Sequence, residues 1–96
     1  MTIQILDEAK GDLVDGFRFY EGQSPGLGDY FLNSLFSDID SLQIYAGIHP
    51  LQWGYHRLLA KRFPFAVYYG VEDDVIRVHA VLDCRRNPAW IHDRLT

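Results

Sequence analysis

Ninety-six residues make a single domain, 1–96, which buries roughly 60–65% of its unfolded surface. A composition of 48% hydrophobic and 23% charged residues is ordinary for a globular protein and excludes disordered and fibrous classes. No apolar run approaches the roughly 18–20 residues of a transmembrane helix, so no membrane role is expected. The formal charge of −4 is unevenly divided. From Arg57 onward seven Lys and Arg stand against five acids, whereas the preceding segment sets Lys10 and Arg18 against eight, so the two parts carry +2 and −6. Such asymmetry bears on partners rather than on fold. The lone Cys84 rules out an internal disulfide, and the N-terminus lacks a basic region followed by an apolar run. Both fit a cytoplasmic protein.

Alternation over Thr2 to Leu6, with Ile3 and Ile5 on one side, predicts a short strand. Asp7 offers an N-cap, and Glu8 suits the first turn of a helix. Leu13, Phe17 and Tyr20 recur at helical spacing, with Ala9 and Gly16 on the same face, to about Gln23. Gly11 and Gly16 each cost a helix about 1 kcal/mol relative to alanine. Gly16 is therefore either a close crossing point with a second helix or tolerated drift.

Ser24-Pro25-Gly26-Leu27-Gly28 reads as a turn and helix start, with serine as cap and proline at the first helical position. Its glycines are not a phosphate cradle, because no strand precedes them and no Lys-Ser/Thr follows. A second helix is expected from Leu27 to Ala46. Phe31, Leu35, Ile39, Leu42 and Ala46 form its stripe, widened by Leu32 and Phe36, with Asp29, Asp38 and Asp40 solvated. Gly47 is a C-cap candidate, and Pro50 forbids continuation. Ile48 to Gly54 reads as a loop.

Three β-like runs occupy Tyr55 to Asp83, broken at Phe63-Pro64 and at Glu72-Asp73-Asp74. Connections this short leave no room for a crossover helix, so an antiparallel meander follows. In the last run Ile76, Val78, Ala80 and Leu82 should face the helices, and Arg77, His79, Val81 and Asp83 the other side. Asn87-Pro88 starts a short terminal helix, Ala89 to Leu95. The order is β-α-α-β-β-β plus a short helix, an α+β fold with a helical hairpin packed on a mainly antiparallel sheet.

No nucleophilic triad is legible around Ser24, Ser34, Ser37 or Ser41. His49, His56, His79 and His92 share no metal-ligand spacing, so neither metal nor cofactor is expected. Cys84 reads as an inert half-buried thiol, although Arg85 and Arg86 beside it are able to lower its pKa. What remains is a basic cluster. Arg57 and Lys61, four apart on a strand, share a face. Arg85 and Arg86 leave the last strand, and Trp90 follows. Arginine beside an aromatic suits phosphate, base stacking or an acidic protein ligand; the alternative is surface charge with a capping tryptophan.

Nearly the whole chain carries a spread signature: Phe19-Tyr20-Glu21, Pro25-Gly26-Leu27-Gly28 with Phe31 and Leu35, Lys61-Arg62-Phe63-Pro64-Phe65, Tyr68-Tyr69, and Val81-Leu82-Asp83-Cys84-Arg85-Arg86-Asn87-Pro88. With the element order, this resembles the RelE/ParE toxin superfamily of bacterial type II toxin–antitoxin modules, proteins associated with growth inhibition and plasmid stabilization. The resemblance implies a cytoplasmic toxin neutralised by a cognate antitoxin in a heterodimer or a higher complex. The RelE-like branch cleaves messenger RNA on the ribosome with basic residues on the second strand, an arginine opening the third, another after the fourth, and a C-terminal aromatic acid–base. Onto that pattern fall Arg57, Lys61 and Arg85. The third-strand position is Phe65 or Ala66 and the terminal aromatic position Trp90 or Ile91, and none of these titrates. The ParE-like branch binds DNA gyrase without that set, and the chain is closer to it, as a non-catalytic inhibitor. The alternatives are a ribosome-dependent endoribonuclease, with His79 as a further proton-transfer group, and a degenerate non-toxic binding module. The target-binding set is then Arg57, Lys61, Arg62, His79, Arg85, Arg86 and Trp90, and the antitoxin-binding set Phe17, Tyr20, Phe31, Leu35, Arg57 and Lys61.

Overall fold

A computed structural model describes every residue from Met1 to Thr96. Strand β1 (Thr2–Ile5) leads into helix α1 (Asp7–Gln23), and the chain returns along α2 (Leu27–Asp40) and the single-turn α3 (Leu42–Tyr45). Four strands follow, β2 (Leu51–Gln52), β3 (Tyr55–Leu59), β4 (Phe65–Glu72) and β5 (Val75–Asp83), and then helix α4 (Pro88–Leu95). They form one sheet in the order β1-β5-β4-β3-β2. The meander is antiparallel as expected. β1 adds a parallel strand beside β5, Ile3 opposite Ile76 and Ile5 opposite Val78.

The helical hairpin closes through reciprocal glycines. A Cβ on Gly16 would collide with the Phe31 ring, and one on Gly28 with the Phe17 ring. Gly16 is thus a crossing point, and each helix gives up a side chain so that the other can insert an aromatic. Phe31 then meets Tyr20, Phe63 and Phe65 at centroid separations of 5.2, 5.1 and 4.9 Å. This cluster joins Leu13, Leu35, Ile39 and Leu42 to Val67, Tyr69, Ile76, Val78 and Val81 in the main core. On the opposite face of the sheet Ile91 and Leu95 of α4 cover Ala66, Tyr68, Ala80 and Leu82. β4 is buried on both faces, so its sequence is a continuous apolar run rather than an alternating one.

Several local expectations are corrected. β5 does not alternate cleanly. Tyr68 opposes Ala80 and Tyr69 opposes Val78, which leaves His79 as the extra residue of a β-bulge. Beyond it the faces exchange: Val81 joins the helix-side core, and Ala80 and Leu82 turn towards α4. The second helix breaks at Ser41, whose hydroxyl donates to the Asp38 carbonyl at 2.6 Å and competes with the helical ladder. The segment expected to be a loop from Ile48 to Gly54 contains β2 and a two-residue turn, Trp53-Gly54, both at positive φ as a tight hairpin needs. Asp7 is the first residue of α1 and not its cap, and Leu6 in the cap position makes no side-chain bond. Ser24 does not cap α2. Gly26 holds that position at φ 87°, and the cap acceptor is Glu21, whose carboxylate takes the N–H groups of Gly26 and Gly28 at 3.1 and 3.0 Å. Asp38 is buried rather than solvated, and accepts the Lys61 backbone N–H at 3.2 Å.

Candidate functional site

The basic residues gather around the β3–β4 connection and the end of β5, and the sheet register explains why. β3 ends at Leu59, so Lys61 and Arg62 lie in the connecting loop; the expectation that Lys61 shares a strand face with Arg57 is corrected, because the strand stops before it. That loop is anchored twice. Phe63 packs on Tyr20 and Phe31 with centroids 4.8 and 5.1 Å apart, and Asp38 holds the Lys61 amide. Pro64 accepts the Cys84 N–H at 2.8 Å, which brings the loop alongside the Cys84-Arg85-Arg86 turn. Lys61 and Arg62 are exposed, and neither enters a salt bridge.

The arginines differ in availability. Arg85 is held by Asp83 through two bonds of 3.0 and 2.7 Å, and Asp83 also accepts the Arg85 amide at 2.8 Å. These bonds hold the Asp83 carboxyl below its ordinary value despite partial burial. Burial raises the Tyr20 phenol, and the neighbouring Arg85 opposes that rise. Arg86 lies over the Trp90 ring, 4.0 Å from its centroid, with Arg94 at 5.7 Å. Arg57 projects to the α4 side of the sheet, with Nε on the Tyr68 hydroxyl at 3.2 Å and Nη2 on Cys84 Sγ at 3.5 Å. Burial works against its charge, but the bonds to Tyr68 and Cys84 outweigh that and raise its pKa. His79 stands apart from this cluster, packed on Tyr55 at 4.7 Å, with its proton affinity lowered by burial and Arg77. Arg57 reaches the Cys84 turn that carries Arg85 and Arg86, Trp90 lies under Arg86, and the Lys61–Arg62 loop runs alongside, whereas His79 packs on Tyr55.

Phe65 and Ala66 are buried in the sheet, and Ile91 of α4 is buried against it. No group that titrates near neutrality or carries charge stands at those positions. No group of three or more His, Cys, Asp and Glu is arranged to hold a metal ion.

Sequence reasoning missed Asp12. Its buried carboxylate accepts the Val81 N–H at 3.0 Å and two bonds from Arg94 at 2.7 and 2.9 Å, tying α1, β5 and α4 together. The signal was there: Asp12 adjoins the stripe of Ala9, Leu13 and Gly16, and a carboxylate beside a buried stripe needs a partner. A cleft of about 280 Å³ opens beside it, between Asp15 and Phe19 on one side and Arg86 and Trp90 on the other.

Most of the apolar set expected to meet a partner is not accessible. Phe31 and Leu35 are fully buried and Tyr20 is 7% exposed, so they are core and not contact residues. The sheet does cover that stripe, because the Gly16 and Gly28 contacts bring the helices together instead of splaying them. Only Phe17 of the apolar set reaches a surface. It lines a groove of about 620 Å³ on the outer side of the hairpin, with Leu13, Val14, Leu32 and Phe36, flanked by Lys10 and Asp29.

This architecture, a glycine-crossed helical hairpin on a five-stranded sheet with a short C-terminal helix, is the ParE-like fold. A chain in the solved structure of the chromosomal ParDE TA system from P. aeruginosa matches it with a TM-score of 0.77. The match covers 84% of this chain and 92% of that one at 20% identity, which makes it a likeness of fold. No protein-family model and no curated protein matches the sequence. No helix is long and apolar enough to cross a membrane.

Proposed function

We propose that this chain is the toxin of a bacterial type II toxin–antitoxin pair, a cytoplasmic growth inhibitor that acts by binding DNA gyrase and is neutralised by a cognate antitoxin. What carries the reading is the ParE-like fold, matched in a ParDE TA system over most of both chains. Support for a non-catalytic mode comes from the basic end. The RelE-like pattern calls for an arginine where Phe65 or Ala66 stands, and both are buried apolar residues. At the other position Trp90 lies under Arg86, and an indole supplies no titrating proton. Arg85 is engaged by Asp83.

Under this reading the antitoxin offers a segment that folds on binding and lays apolar side chains into the Val14–Phe36 groove. An acidic portion would meet the Lys61–Arg62 loop and Arg57, and a role in plasmid stabilization fits such a pair.

Induced expression of the chain alone, confirmed soluble, tests the proposal together with gyrase supercoiling by the purified protein. Filamentation, a DNA-damage response and inhibited supercoiling are expected, all relieved by the antitoxin encoded beside it. Cleavage of messages at the ribosomal A site, abolished by Arg85→Ala, would instead make it a ribonuclease. Undisturbed growth would reduce it to a binding module.

A further inference from the structure

A second polar cluster stands away from both surfaces, where the chain passes from α3 to the sheet edge. The Tyr69 side chain is fully buried, and its hydroxyl accepts the Gly47 N–H at 2.9 Å and bonds His49 Nδ1. The His56 ring stacks on Tyr69 with centroids 5.1 Å apart, and His56 Nδ1 lies 2.7 Å from the His49 carbonyl. A carbonyl only accepts, so His56 Nδ1 carries a proton.

The hydrogen count decides what His49 must be. With its oxygen already accepting from Gly47, the phenol has one hydrogen to give, and neutral His49 Nδ1 takes it. A protonated His49 carries a hydrogen on Nδ1 and turns that bond round. The phenol then accepts twice, and its own hydrogen is left in the buried layer without an acceptor, an unfavourable state. The titratable groups around His49 are His56 from β3 and Tyr69 from β4. The turn Ala46–Ile48 and strand β2 bring none. Burial, and then the charge of His56, disfavour the imidazolium, and no carboxylate offsets them.

We infer that the segment from Gly47 to Gln52 is a proton-sensitive latch, held to Tyr69 by neutral His49 and released when His49 is protonated. Beyond the bond from His56 Nδ1 to the His49 carbonyl, little else retains it. β2 pairs with β3 through Leu51–His56 and Gln52–Tyr55, and the Arg57 N–H donates to the Pro50 carbonyl at 2.9 Å. Release uncovers the outer edge of β3, a row of backbone groups able to accept another extended segment. Folding lowers the proton affinity of His49. The latch is therefore fully closed above the ordinary histidine value of about 6.5, and weakens as pH falls below it through the lower folded value.

Amide hydrogen exchange of the full chain at about pH 7.5 and about pH 5, corrected for intrinsic rates, tests this. Protection of the Gly47 and Arg57 amides should fall at the lower pH, by up to about thirtyfold, the limit set by an ordinary histidine value of about 6.5, while β4 and β5 amides hold. His49→Asn places a non-titrating acceptor near Nδ1 and should remove that pH dependence. Tyr69→Phe should leave Gly47 poorly protected at both values. Uniform protection across the pH range in the unaltered protein would overturn the latch, and so would an unchanged pH dependence in His49→Asn.

Discussion

Gly16 in α1 lies directly against the Phe31 ring of α2, so that a Cβ at position 16 would meet two ring atoms well inside 3.0 Å. Gly11, in the same helix, has open space where a Cβ would go. The two glycines should respond oppositely to alanine. Gly11→Ala gains about 0.5–1 kcal/mol from helix propensity. Gly16→Ala gains the same propensity but forces Phe31 out of a packed core, an overpacking penalty of about 1–3 kcal/mol. Urea unfolding of both variants should show a raised midpoint for the first and a lowered one for the second. A raised midpoint for Gly16→Ala would mean that the hairpin can open at no cost.

The Asp12–Arg94 pair holds α4 against the rest of the fold. Arg94→Ala leaves a buried carboxylate with only the Val81 N–H. The expected loss is about 2–3 kcal/mol, below the full range for a wholly buried pair because Arg94 is partly solvated. Exchange of the Ile91–Leu95 amides should accelerate more than that of β4. Equal acceleration throughout would show that α4 unfolds only with the whole domain.

Glu21 reaches forward from the end of α1 to cap α2. Glu21→Ala removes the acceptor for Gly26 and Gly28 at an expected cost of about 1 kcal/mol, with faster exchange at the Gly28 amide. Ser24→Ala, although serine is the preferred cap type, should change stability little, because its side chain makes no capping bond.

Asp83 gives an acid-limb signature. Its carboxyl pKa is lowered chiefly by the Arg85 side-chain bonds, so the folded state favours the ionised form. The associated stability is present above the unfolded value of about 3.9, and is lost as pH falls through the lower folded value. An NMR titration should place the Asp83 carboxyl below the exposed acids, and Arg85→Ala should move it up. No movement would mean that the pair is absent in solution.

The groove gives the partner surface a direct test. Val14→Glu with Phe36→Glu adds charge at two exposed positions and should weaken antitoxin binding by more than about tenfold while leaving stability nearly unchanged. Arg57→Glu with Lys61→Glu should lower both the affinity and its salt dependence if the acidic contact exists. Unchanged binding in the first pair would remove the groove from the interface.

Local chemistry settled the order of the main elements, though not the break at Ser41 or the short strand β2. Period-3.6 stripes, the Pro25, Pro64 and Pro88 stops and the acidic turn before Val75 act within a few residues, and each is readable without knowing the fold. Contacts between distant segments were decided by tertiary structure alone. Tyr20, Phe31 and Leu35 were legible as an apolar stripe, but their burial depends on Gly16 and Gly28 meeting aromatics from the opposite helix. The His79 bulge exchanges the faces of β5 because one extra residue shifts the period-2 alternation, and where it falls is set by the pairing with β4, which no window on β5 contains. Arg57, Arg85 and Arg86 were visible as charges, but whether each is free or engaged depends on Tyr68, Asp83 and Trp90. The cap of α2 and the latch at Tyr69 have the same origin: a hydrogen-bond acceptor is chosen by where the fold delivers it, and nearest in sequence is only one of the candidates.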